Sequence, residues 1–286
     1  MKNKKMNWNR IKLNMKNVYQ LTITIGCLFC FSGCALHDGI TNYFNSTDHY
    51  LNFKQDQRVM YEPGAEEFAA TAASELPLAI KKVESRQYST FSDKIMIYVT
   101  KTPESFKKMT GRGVSAMMYR KSIFLSPKLL EKPDTIKLYI AHELSHLHLH
   151  QHLGDYAYLG IPSWFLEGLA AFVSDGGGAE NVTDDEVMES IRSGNHFIPF
   201  ENSGLRDLFR PRYASYFKIR HKFKHHLFYR QCMLFVSFLE NEHPAQFKKF
   251  IIDLKNGIDF SDSFRISFEA DAMTKWNEFK TKIIES

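Results

Sequence analysis

His142, Glu143 and His146 stand at helical spacing in the run His142-Glu143-Leu144-Ser145-His146. Residues four apart share one face of a helix, so two imidazoles can converge on a single point, with a carboxylate one position round from the first. Such a point suits zinc, which in catalytic sites takes three protein ligands and keeps a fourth position for water. Glu167, twenty-one residues beyond His146, is the third candidate ligand. It lies on a stretch, Ser163 to Ser174, that reads as a second helix, separated from the first by the turn Gly160-Ile161-Pro162. Two helices crossing at their inward faces would bring Glu167 to the metal and leave Glu143 beside it as a general base.

In a chain with twelve histidines the pentapeptide alone is a modest signal, and the run from Pro162 to Ala170, Pro-Ser-Trp-Phe-Leu-Glu-Gly-Leu-Ala, sharpens it. Together the two stretches resemble the gluzincin metallopeptidases, in which both histidines of His-Glu-x-x-His and a glutamate on a following helix bind zinc. They resemble in particular bacterial members that carry Pro-x-Trp-x-x-Glu-Gly-Leu-Ala. The resemblance implies a zincin-like α+β fold, Zn2+ as the cofactor, His142, His146 and Glu167 as its ligands, and peptide hydrolysis with Glu143 activating the metal-bound water. The segment Tyr229-Arg230-Gln231-Cys232 also resembles these peptidases, where a tyrosine opens the corresponding helix. Tyr229 is therefore the candidate oxyanion donor, with His225 and His226 behind it. In the same family the strand before the metal helix forms the lip of the cleft and can pair with an extended peptide, a part that Ile123 to Ser126 would take. The likeness extends from about Ile95 to Phe279 and is tight only at the two motifs. His148, His150 and His152 are read as surface or supporting residues rather than ligands, since Glu167 completes the set.

The elements that must position these residues are legible in outline. Apolar residues from Phe68 to Val83 recur at helical spacing, with Pro77 as an expected kink. Ile95 to Val99 reads as a strand, Thr102-Pro103-Glu104-Ser105 as the start of a short helix, and Met117 to Ser126 as a hairpin. Pro133-Asp134-Thr135 opens the metal helix. Asp175-Gly176-Gly177-Gly178 is expected to be a flexible border or lid of the cleft. Further helices are predicted over Asp184 to Ser193, His226 to Leu239 and Pro244 to Leu254, followed by an apolar helical C-terminus. The fold class predicted is α+β: a small N-terminal sheet with the metal helix, over about 61–155, and a mainly helical subdomain over about 156–286.

The first sixteen residues are basic with no acid, and an apolar run follows from Val18 to Phe31, the layout of a secretory signal. Met15 would itself make a tidy start for it. The segment ends Phe31-Ser32-Gly33-Cys34, which resembles the bacterial lipoprotein cleavage box, with Phe31 in place of the usual leucine. The resemblance implies a signal peptide over 1–33, lipidation at Cys34, a polar tether over 34–60 and a lipid-anchored protein of the bacterial cell envelope. Ala35 after the cysteine favours the outer membrane. Six of the thirty-seven basic residues and none of the thirty-two acidic ones precede Cys34, so the mature chain is close to neutral and the headline charge of +5 gives no reason to expect nucleic acid. Basic and aromatic residues do interleave between Arg206 and Arg230, where a solvated face is the plainer reading. The expected partners are a peptide or protein substrate and the membrane. The alternative class is a zinc-binding envelope lipoprotein that serves as a binding or assembly factor without peptidase activity, which the same residues would also suit.

Overall fold

The structure, a computed structural model, describes residues 46–199 and 219–286. Residues 48–286 form one compact unit. The signal segment, Cys34 and most of the interleaved basic and aromatic stretch lie outside the described residues.

Alternation of side chains builds the sheet. Strands β1 (Leu51–Asn52), β2 (Val59–Tyr61), β3 (Ile97–Val99), β4 (Ala116–Tyr119) and β5 (Ser122–Leu125) lie in the order β1-β2-β3-β5-β4. The pairs β2–β3 and β3–β5 are parallel, and the two outer pairs antiparallel. Val59, Ile97, Val99, Ile123 and Leu125 point to one face and are buried in the main core. Their neighbours Met60, Tyr98 and Phe124 point to the other, as period-two geometry requires.

The sheet reaches back into the stretch expected to be tether: β1 and β2 precede Glu62, and Tyr50 and Val59 are buried. The physical reason is that β3 is parallel on both sides and needs a partner on its outer edge, which short, weakly patterned β2 provides.

Helices cover both faces. Helix α1 (Glu66–Arg86) connects β2 to β3 and continues without a break through Pro77, which is exposed. Helix α2 (Pro103–Thr110), opened by a Thr102–Ser105 capping box, lays Phe106 and Met109 against Tyr50 and Phe124 on the opposite face. A two-residue turn, Arg120-Lys121, with both residues in the left-handed region, closes the β4–β5 hairpin. Two 3₁₀ turns, Pro127–Glu131 and Pro133–Thr135, then lead into α3 (Ile136–Gly160), which packs beside α1 on the main-core face.

The C-terminal half is helical: α4 (Ser163–Val173), α5 (Asp184–Arg192), α6 (Lys224–Glu242), α7 (Pro244–Lys255), α8 (Phe260–Phe268) and α9 (Ala272–Glu285). An aromatic core joins them. Trp164 tilts against Phe235 at 5.2 Å, Phe165 meets Phe250 edge-on at 5.1 Å, and Trp276 meets Phe235 edge-on at 5.1 Å. Trp164 and Phe165 lie just before Glu167 on the same helix, so this core fixes the helix that carries it. Helices α4 and α6 approach closely at Gly168, where a Cβ would lie 2.8 Å from the carbonyl oxygen of Cys232. Among the described residues no helix is long and apolar enough to cross a membrane.

Candidate metal centre

The three predicted ligands converge. His142 and His146, one turn apart on α3, hold their Nε2 atoms 3.1 Å apart. Glu167, from α4, places Oε2 3.4 Å from the first and 3.6 Å from the second. All three are largely buried, with side-chain exposures of 5, 11 and 13 per cent in that order. This is a cluster that could hold a metal ion.

Its electrostatics have the same meaning. The carbonyl of Gly177 can only accept, so the 2.9 Å contact with Nδ1 makes that nitrogen of His142 the donor and leaves Nε2 facing His146 and Glu167. Burial disfavours the imidazolium, but Glu167, Glu143 and the Gly177 carbonyl outweigh it and raise the pKa of His142. Burial likewise opposes ionisation of Glu167, yet the two imidazoles hold its carboxyl well below the usual carboxylate range. The centre therefore favours positive charge between its donors, whether brought by a proton or by a cation.

Glu143 is tied to the sheet beside the cluster: its Oε2 accepts from the backbone N–H of Met118 at 2.6 Å. The contact identifies the open edge. Beside α3 the outer strand is β4, not the predicted Ile123–Ser126 segment, because β5 is enclosed between β3 and β4. In an antiparallel pair, alternate residues turn their backbone groups outward, and Met118 is one of them.

Tyr229, in the second turn of α6, stacks on His142 with ring centroids 5.9 Å apart and planes 17° apart. His225 meets Tyr229 nearly edge-on at 6.4 Å. His226 turns elsewhere, with Asn181 Nδ2 3.2 Å from its Nε2 and the Glu180 carboxylate 3.6 Å from its Nδ1. Burial lowers the pKa of both histidines despite a neighbouring glutamate.

The expected lid is a fixed wall. Gly176, Gly177 and Ala179 are buried, and Asp175 is tied to Lys82 and Arg86 of α1. A Cβ on Gly177 would come within 2.6 Å of the Leu138 carbonyl oxygen, so only glycine lets the segment lie against α3 and offer its carbonyl to His142. The extra histidines, read as surface or supporting residues, stay outside the donor cluster, and two of them are buried. His148 is fully buried, its Nδ1 2.7 Å from Gln87 Oε1, and burial first, then nearby Lys255, depresses its pKa to about 3. His152 reaches Ser89 and Thr90, while His150 pairs with Asp155.

Supporting contacts escaped the sequence reading. Tyr158 lies with its hydroxyl 3.2 Å from Nδ1 of His146, and Tyr139, four residues before Glu143, donates to Glu180 at 2.8 Å. Only the i, i+4 relation of Tyr139 to Glu143 could have singled either out. No protein-family model matches the chain, and no curated protein matches it.

Proposed function

We propose that the protein is a zinc metallopeptidase with a zincin-like fold, His142, His146 and Glu167 holding the metal and Glu143 acting as general base. The observation that carries the reading is the triangle of donor atoms, with edges of 3.1, 3.4 and 3.6 Å. A triangle of that size has a circumradius of about 2.0 Å, so one point lies at zinc-to-nitrogen and zinc-to-oxygen bonding distance from all three atoms. Two neutral nitrogens and one carboxylate oxygen form a donor set found in catalytic zinc sites, which keep a fourth position for water.

Bound there, zinc would supply an acidified water and polarise a substrate carbonyl. Glu143, adjacent to His142 and anchored through one oxygen by Met118, would use its other oxygen to take the proton of the attacking water and pass it to the leaving amine. The Tyr229 hydroxyl would donate to the developing oxyanion, its ring steadied against His142. The outward backbone groups of β4 other than the Met118 N–H would accept an extended peptide as an added strand. Export as a lipoprotein anchored through Cys34 to the cell envelope, with an envelope peptide or protein as substrate, is part of the same proposal and is supported by the N-terminal sequence pattern.

The test is zinc content and peptide hydrolysis on the same samples of wild type and Glu143→Gln. The variant should keep about one zinc per chain and lose 10²- to 10⁴-fold in turnover, the range typical of removing a general base. Full activity in Glu143→Gln would refute the catalytic assignment. A wild type that binds zinc yet cleaves nothing across a broad peptide library would make the protein a binding or assembly factor instead.

A further inference from the structure

We propose that Tyr158 is the positioning residue of His146, and that a break in the metal helix at Gly154 is what brings it there; the inference rests on the metal-centre reading above. Twelve residues separate His146 from Tyr158. On an unbroken helix they would stand about 18 Å apart along the axis, beyond the reach of any side chain. The observed separation between the Tyr158 hydroxyl and His146 Nδ1 is 3.2 Å.

Gly154 closes that gap. Its φ of 73° and ψ of 173° interrupt the helix in a region of backbone space that is almost exclusively glycine's. A Cβ built at Gly154 meets nothing within 4 Å, so the demand for glycine there is a matter of backbone conformation and not of space. Past the break the chain turns back over the end of the first segment. His150 secures the return: its Nε2 lies 2.8 Å from Asp155 Oδ1, and its ring meets that of Tyr158 at 5.1 Å and 71°.

The consequence concerns the tautomer of His146. With Nε2 directed to the metal, Nδ1 carries the proton and donates to the phenol oxygen, as Nδ1 of His142 donates to Gly177. Both ligand rings are then oriented from behind, one by a carbonyl and the other by a phenol oxygen. Partners of this kind typically set metal affinity by 10- to 100-fold.

Zinc affinity of the full chain would be measured by competition with a chromophoric chelator for wild type, Tyr158→Phe and Gly154→Ala. The visible spectrum of the cobalt-substituted proteins and the melting temperature of the metal-free forms would be recorded alongside. Tyr158→Phe should bind zinc 10- to 100-fold more weakly and shift the cobalt bands, with the metal-free melt unchanged. Gly154→Ala, which keeps the hydroxyl but moves it, should weaken zinc binding comparably. Wild-type affinity and cobalt spectrum in both variants would overturn the proposal while leaving the metal centre intact. A wild type that takes up no zinc would overturn the metal centre itself, and this inference with it.

Discussion

Glu143 and Glu167 are both glutamates within reach of one centre, and their surroundings separate their roles. Glu167 faces two imidazoles and is held ionised by them, whereas Glu143 is drawn aside by a backbone N–H of β4. Glu167→Ala should therefore abolish stoichiometric zinc after dialysis, read by atomic emission, because two imidazoles alone leave the ion a ligand short. Tyr229→Phe should behave in the opposite way. The ring and its stacking on His142 persist, zinc stays, and peptide turnover falls by about 10²-fold, the effect of losing one oxyanion donor. Unchanged turnover in that variant would remove Tyr229 from the mechanism.

Two crossings between elements hold the site in place. At the contact of α4 with α6, Gly168→Ala would push a methyl into the backbone at Cys232. Overpacking of that kind costs about 1–3 kcal/mol, so the urea midpoint should fall, and zinc affinity with it, because the same helix carries Glu167. The second crossing is the clasp of Asp175 on Lys82 and Arg86, which holds the glycine segment that supports His142. Burial would raise the Asp175 pKa, but the two cations lower it on balance. Its folded value therefore lies below its unfolded one. The stabilisation is complete above the unfolded pKa, near 3.9, and disappears as pH falls through the folded value. The carboxylate is half exposed, so Asp175→Asn should lower the melting temperature by only about 1–3 °C at pH 7. That difference should close as pH falls through the folded value. A gap that persisted in acid would assign the effect to something other than the ion pairs.

For the whole molecule, the centre lies where the sheet-bearing half meets the helical half, with candidate donors from α3 and α4 and neighbours from α1, β4 and α6. An ion bound there ties these elements together and binds the folded chain alone. At free zinc a thousandfold above the dissociation constant the gain is about 4 kcal/mol. For a chain of this size that corresponds to a melting temperature about 8–16 °C higher with zinc than after chelation. Equal melts with and without chelator would mean that the donor triangle does not bind.

The sequence by itself picked out the three side chains that converge, since helical periodicity alone puts His142 beside His146, and Glu167 stood out through the motif around it. It also determined most of the helices, whose apolar spacing and capping residues, such as Thr102 and Thr183, act over a few residues. Only the tertiary structure decided which strand forms the open edge, because β4 and β5 carry similar patterns and their order depends on which of them pairs with β3. The same holds for β1 and β2, too short to show a period, and for the glycine wall, where triple glycine signals freedom locally and close approach to α3 in the fold. The return of Tyr158 to His146 was hidden for the same reason. A single glycine torsion reverses the chain, and no periodicity records it.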